Sequence, residues 1–381
     1  MTRAPSTDTT ADLAVIGGGL VGGAIAWGAA RQGLRVALLD EGDTAFRASR
    51  GNFGLVWVQG KGFGYAPYAR WTIGSSRQWP QLAALLQEDT GIDVQLKQPG
   101  GFHICLSPQD LEARHKRLHS IRDDLGGDYP IRFLTPAEAR QFLPGLGPEV
   151  AGVSHCPLDG HVNPLKLLRA LHAACRHRGV RLHNGYTVTA IERRGGGYRI
   201  TSAAGTIDAQ RVVLAAGLGN SALAPLLGLH APVIPNRGQV LVGERSTHFL
   251  DYPTTHIRQT DEGTIQLGES MEEAGLDDTT TTPVLSAIAL RAARSFPVLR
   301  ELQLVRVWSA LRVMSPDGFP IYAQSPTHPG AFVATCHSGV TLAAAHALQV
   351  APWVAGGARP DEIEAFSDRR FAPALSESEA A

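Results

Sequence analysis

The sequence predicts an α/β fold in which a domain built on a parallel sheet is interrupted by, and resumes after, a region of antiparallel strands. Three observations carry this expectation. The stretch "AVIGGGLVGGAIAWGAARQGLRVALLD" reads as strand, glycine turn, helix and strand, the order of a βαβ unit. Beyond residue 180 the pattern changes to apolar and polar residues alternating around Gly-rich turns, as half-buried antiparallel strands require. Near the C-terminus "GAFVATCHSGVTLAAAHALQVAPWVAGG" runs again from a strand through a short turn into a helix. A chain of 381 residues also exceeds the ~250–300 at which one hydrophobic core stops growing, in keeping with two regions.

Taken in order, residues 13–17 form an apolar strand, residues 20–32 carry small and apolar side chains at helical spacing, and "RVALLD" is a second buried strand. "GNFGLVWVQGKGFGYAPYARW" is glycine-rich and aromatic, an ordered loop that either shapes a pocket or covers a planar group. Pro67 opens a helical pattern that reaches about Leu86. "GGFHICLS" is a strand, and in "LTPAEARQFLPGL" Thr135 caps a helix with Pro136 at its first position. "NPLKLLRALHAACRHRG" is an amphipathic helix capped by Asn163 and closed by Gly179. The strands that follow include "GQVLVGE", "TTHIRQ" and "TIQLGES", then comes the helix "TPVLSAIALRAARSF". The acidic, small-residue tail is expected to fray.

Composition excludes several classes. Lys+Arg and Asp+Glu both number 35, so no net field recruits nucleic acid or anionic membrane. No apolar run is long enough to span a bilayer, and the polar start "MTRAPSTDTTAD" lacks the apolar core of a signal peptide; a cytoplasmic protein is expected. The four cysteines are scattered without a CxxC pair and the histidines lack ligand spacing, so no metal site is expected.

Gly17, Gly19 and Gly22 form G-x-G-x-x-G between a strand and a helix. The first permits a tight turn, the second lets backbone approach a pyrophosphate, and the third lets helix and strand pack closely. The pyrophosphate belongs at the helix N-terminus, where free N–H groups favour an anion. Asp40, 18 residues after Gly22, ends the second strand, where a carboxylate accepts hydrogen bonds from a ribose. This pattern predicts a dinucleotide and leaves NAD and FAD both open.

Further segments resemble the D-amino-acid oxidase and glycine oxidase family of FAD-dependent enzymes. They are "ASRGNFG" after the second strand, "VNP" at a helix start, "VTAI…TIDAQRVVLAAG", "NRGQVLV", and "ALRVMSPDGFPIYA…GAFVATCHSGVTLA". The resemblance spans roughly residues 12–358 and implies a discontinuous, glutathione-reductase-like FAD-binding Rossmann domain (11–75, 150–225 and 305–360). An antiparallel-sheet substrate domain (76–149 and 226–304) and a tail (361–381) complete the chain. It implies that Ser49, Arg50, Asn52 and Gly54 line the pyrophosphate and flavin side, that Val188 meets the adenine, and that Ala215 and Gly217 pass near the phosphates. Gly339, Val340 and Thr341 should approach the pyrimidine edge of the flavin. Arg312 matches the arginine that holds the substrate carboxylate, a task suited to its planar, permanently charged fork; an arginine in a structural salt bridge is the alternative. His256 falls where relatives place a tyrosine on the same carboxylate, and shares a strand face with Arg258; a solvent-facing pair is the alternative. His337 precedes the flavin turn, where it either orients substrate or serves as a core histidine. Cys336 ends a strand away from the attachment point of covalent relatives, so FAD is expected to bind non-covalently.

Within the family, "RASRGNFGLVWVQGKG" and "CHSGVTLAAAH" are most similar to the β subunits of opine oxidases and hydroxyproline dehydrogenases. The implied reaction is oxidation of the C–N bond of an amino acid or secondary amine to an imine by hydride transfer to flavin N5. Companion electron-transfer subunits are implied partners. Two alternatives stay open at this stage: an NAD-dependent dehydrogenase, and a flavoprotein subunit active only within a hetero-oligomer.

Overall fold

The computed structural model describes residues 10–42 and 48–371. Most of the polar opening segment and the end of the tail lie outside the described residues. Strand β1 (Thr10–Ile16), helix α1 (Leu20–Arg31) and strand β2 (Val36–Asp40) realise the expected βαβ unit, with β1 and β2 parallel. They sit in an eight-stranded sheet. Its main path runs Ile321–Gln324, Ala331–Thr335, Gly205–Leu214, β1, β2 and Arg181–Asn184. All neighbours along it are parallel except the first pair. Strands Val188–Arg194 and Gly197–Ser202 extend antiparallel from Gly205–Leu214.

Period-two alternation builds a core on each face of this sheet. Leu13, Val15, Val36 and Leu38 pack with α1, the helix Ala66–Thr90, the helix Pro164–His177 and the C-terminal helical segment 343–354. Ala14, Ile16, Ala37 and Leu39 face the other way, toward Tyr186, Tyr198, Leu227 and Val313. The sequence-derived elements recur, with Asn163 Oδ1 accepting the Lys166 N–H at 3.1 Å and Thr135 forming a capping box with Glu138. The helix Pro108–Asp124 has no counterpart in the sequence pattern, because only Leu118 and Ile121 are buried and its remaining polar face shows no apolar period.

A second, four-stranded antiparallel sheet has the order Ile257–Gln259, Thr264–Leu267, Ile234–Arg245 and Leu304–Met314. With the three-stranded sheet of Gly101–Cys105, Gly152–Cys156 and Arg132–Leu134 it encloses a separate core around Phe102, Leu143, Leu241, Ile265 and Phe296. Leu304–Met314, expected to open the last segment of the cofactor domain, instead pairs with Ile234–Arg245 over its whole length. The chain returns to the eight-stranded sheet only at Ile321, and to parallel pairing at Ala331. Residues 361–371 form short 3-10 turns rather than a frayed tail, and Phe366 is buried against Tyr65 and Tyr322.

Candidate active site

Gly17 follows β1, Asp40 ends β2, Ala215 follows Gly205–Leu214, and Cys336 follows Ala331–Thr335. These carboxyl ends of four parallel strands open onto one cavity of about 910 Å3. That is where open α/β sheets place ligands, and the volume is at the upper end for a ligand pocket.

One end of the cavity is made of backbone. A Cβ at residue 17 would lie 2.2 Å from the Ala215 carbonyl oxygen, and one at residue 22 would lie 1.8 Å from the Gly17 oxygen. Side chains are sterically forbidden there, so the strand, turn and helix meet backbone to backbone. Gly19 is the N-cap of α1 and supplies no side-chain cap; Ser49 Oγ accepts the Leu20 N–H at 3.0 Å. The Asp40 carboxylate accepts the N–H of Gly18 at 2.6 Å and of Gly42 at 2.8 Å. Gly17, Gly19, Asp40, Ser49, Arg50, Asn52, Val188, Ala215 and Gly217 all line this end or the stretch beside it. Gly22 and Gly54 do not line the cavity and act by close packing. At Gly54, with φ +91°, a Cβ would fall 2.5 Å from the Val162 carbonyl, and Asn52 Oδ1 accepts the Gly54 N–H at 2.7 Å. The set of helix-terminal amides, glycine backbone and one carboxylate at a strand end fits a dinucleotide.

The middle of the cavity is bounded by the turn 338–342. Thr341 Oγ1 accepts the Trp57 N–H at 3.1 Å, its carbonyl accepts Ser75 Oγ at 2.8 Å, and the Val340 carbonyl accepts Trp79 Nε1 at 3.1 Å. The turn is thus fixed jointly by the aromatic loop and by the long helix Ala66–Thr90. Gly339, Val340 and Thr341 line the cavity as expected.

The far end is made of side chains. Trp57, Lys61, Thr255, Glu269, Arg312, His337 and Ser338 line it. Arg312, on Leu304–Met314, donates through Nη1 to Asn236 Oδ1 at 3.2 Å and to the Ser270 carbonyl at 2.9 Å, and through Nη2 to Glu269 Oε2 at 2.6 Å. Its Nε–H and second Nη2–H remain without a partner among the described residues. The His337 imidazole lies 3.2 Å from Ser338 Oγ, and burial, with the nearby charges of Lys61 and Arg312, pushes it down to about 3. It is neutral at physiological pH.

His256 requires a correction. It does not line the cavity; its neighbour Thr255 does. The His256 ring stands 5.8 Å from that of His103, its Nδ1 is buried without a partner among the described residues, and burial lowers its pKa to about 3. Arg258 is neither at the cavity nor in solvent: it is buried, donating to the Val162 carbonyl at 3.1 Å and to Gln266 Oε1 at 2.8 Å. Lys61 and Glu269 are not among the residues that the sequence pattern singles out. A lysine between glycines in an aromatic loop, "QGKGFG", is the signal that points to Lys61. Glu269 had none, because its contact with Arg312 joins residues 43 apart in the chain. Among the described residues no cluster of His, Cys, Asp and Glu could hold a metal ion, and no helix is long and apolar enough to cross a membrane.

Three comparisons bear on this geometry. A family model, DAO, described as FAD dependent oxidoreductase, matches residues 12–353. The chain is 45% identical over 361 residues to the opine oxidase B-subunit of Agrobacterium tumefaciens (strain Ach5), covering 94% of this chain and 97% of that protein. It is 43% identical to the opine oxidase B-subunit of Rhizobium meliloti, with the same two coverages. Among solved structures, glycine oxidase from Geobacillus kaustophilus superposes with a TM-score of 0.88 at 26% identity, covering 96% of this chain and 100% of that one.

Proposed function

We propose, from the premise that the chain belongs to the DAO family of FAD-dependent oxidoreductases, that it oxidises the C–N bond of a carboxylate-bearing secondary amine or amino acid to an imine. The cofactor is FAD, and the NAD-dependent alternative is set aside by the family. The observation that carries the reading is a single cavity joining a glycine cradle to a guanidinium. FAD held in that cradle supplies the acceptor for the hydride.

The chain's own residues supply binding and orientation. Arg312 receives the substrate carboxylate on its free Nε–H and Nη2–H, and its charge persists at any relevant pH. Glu269, already on Nη2 at 2.6 Å, is an anion accepted by this same guanidinium and therefore a competitor for it. His337, neutral and fixed beside Ser338, offers a hydrogen bond without adding charge. Trp57 supplies an apolar wall, and the clamped turn 338–342 holds its shape while substrate binds. Binding geometry of this kind carries much of the acceleration in a hydride transfer.

Both opine oxidase relatives are named as one subunit of an enzyme, which supports a second element of the reading: the chain works beside a companion that takes the electrons onward. The test is anaerobic titration of the purified yellow protein with glycine, D-amino acids, D-hydroxyproline, sarcosine and opines while the ~450 nm flavin band is followed. Bleaching by one class identifies the substrate, and no bleaching by any amine overturns the reading. Admitting oxygen, with and without a co-purified partner, then times the return of colour and separates an oxidase from a partner-dependent dehydrogenase.

A further inference from the structure

The function above uses one cation at the substrate end of the cavity, Arg312, yet Lys61 stands at that end as well. Lys61 lines the same cavity as Arg312, and the charges of both bear on His337. Its ammonium has three N–H donors. One goes to Ser338 Oγ at 2.6 Å, and the group stands 5.7 Å from the Tyr68 ring centroid. Among the described residues it has no ion-pair partner.

The loop that carries Lys61 is held by polar side chains, of which Asp159 and Tyr129 are buried. The Asp159 carboxylate accepts the N–H of Val58 at 2.5 Å and Gln59 Nε2 at 2.7 Å. Tyr129 Oη accepts the Gly60 N–H at 2.9 Å. Arg117 Nη2 donates to the Gly60 carbonyl at 2.9 Å, and Arg114 Nη2 to Gln59 Oε1 at 2.6 Å. Four side chains from three other segments therefore fix the residues next to Lys61, a level of support expected for a group whose position matters.

Charge balance decides what Lys61 is for. Among the residues named at the substrate end, Glu269 pairs with Arg312 at 2.6 Å and its charge also bears on Lys61, while His337 is neutral, so two cations share one carboxylate there. A zwitterionic amino acid with a single carboxylate brings no net charge and leaves that excess in place. An amino acid with a second carboxylate brings one net negative charge and offsets it.

We infer that Lys61 is a specificity-determining carboxylate subsite, which holds a second carboxylate of the substrate on its ammonium while the first rests on Arg312. This rests on the reading of the cavity as an amine-oxidising site, and the test keeps the two apart by measuring binding as well as turnover. Glutarate has the shape of iminodiacetate with a methylene in place of the nitrogen; butyrate lacks its second carboxylate. Both are titrated into the FAD-loaded protein while the flavin band is followed. Wild type should bind glutarate at least tenfold more tightly than butyrate, as one added charge-assisted contact provides. Lys61→Met should abolish that preference while leaving butyrate affinity unchanged, and Lys61→Arg should preserve it. Turnover of iminodiacetate against sarcosine should follow the same order, with the change in KM rather than in kcat.

A pH arm uses the same variants. Burial lowers Lys61 to about 8. The charged and titratable groups around it are Glu269, Cys336, Asp159, Arg117, His337 and Tyr68. The preference for glutarate should fade as pH rises through about 8 in wild type and persist in Lys61→Arg. Equal losses for glutarate and butyrate in Lys61→Met, or an unchanged preference, would overturn the assignment. Glutarate preference that depends on Lys61 in a protein no amine can reduce would instead uphold the subsite and refute the catalytic reading.

Discussion

The two ends of the cavity are built by opposite means. The cofactor end is a backbone construction in which glycine carbonyls and amides meet within distances that forbid a Cβ, and its recurring chemistry is the backbone N–H of a glycine turn and a helix terminus. The substrate end is a side-chain construction, in which Lys61, Glu269, Arg312 and His337 arrive from four separate segments and set a local charge. The difference teaches where each kind of substitution bites: steric changes should act at the first end, and charge changes at the second.

The largest effect is expected from Gly22→Ala. The added methyl would sit 1.8 Å from the Gly17 carbonyl, so the cradle must open. Overpacking of this sort costs about 1–3 kcal/mol or more, and here the distortion falls on the cofactor site. The purified variant should be colourless, or should lose its flavin on dialysis. A variant that keeps stoichiometric flavin would break the steric account of that end.

Arg312→Ala comes next. Losing charge-assisted hydrogen bonds of about 1.5–3 kcal/mol should raise KM for an anionic substrate by roughly 10- to 100-fold, with little change for an uncharged amine. Flavin content should be unaltered. Equal effects on both substrates would end the carboxylate role.

Asp89→Asn tests the packing of α1 with the helices Ala66–Thr90 and Pro164–His177, away from both ends. The buried Asp89 carboxylate accepts Trp27 Nε1 at 2.8 Å and Arg178 Nε at 2.9 Å. The loss should be about 1–2 kcal/mol, read as a lower Tm with unchanged KM. Arg178 and then Trp27 hold this carboxyl below its ordinary pKa. Its contribution is therefore full above the unfolded value near ~4 and is lost as pH falls through the depressed folded one, so the Tm gap between wild type and variant should close in acid.

The smallest effect separates two roles for a single carboxylate. With Glu269→Gln a charge that competes for Arg312 is removed, and KM for an anionic substrate should fall a few-fold. A rise would mean that Glu269 serves the substrate instead of competing with it.

This contrast also explains what could be read from the chain. The glycine cradle was legible because a steric requirement at residues 17, 19 and 22 is local and leaves a fixed spacing. Asp40 was legible because it ends a strand. The substrate end depends on pairs such as Lys61 with Ser338 and Arg312 with Glu269, 277 and 43 residues apart, and no spacing rule records them. His256 illustrates the margin for error. Residues 255 and 256 form a bend ahead of the strand Ile257–Gln259, so the alternation expected of a strand does not reach them, and Thr255 stands at the cavity where the histidine was expected. The helix Pro108–Asp124 escaped for a different reason, since a helix that buries little has little pattern to show.

The clamp on the turn 338–342 has a consequence for how the protein is made. Ser75 and Trp79 are synthesised long before the carbonyls of Val340 and Thr341 that they hold, and Trp57 waits equally long for Thr341. A nascent chain on the ribosome can complete its first βαβ unit early, but it has no finished pocket until that last turn has emerged. Contacts this distant in sequence slow folding, because loop closure must come before they form. If the flavin sits in this cavity as proposed, its capture is expected late in biogenesis, and a chain stopped short of Ser338 would carry the glycine motif intact and still lack one wall of the cavity.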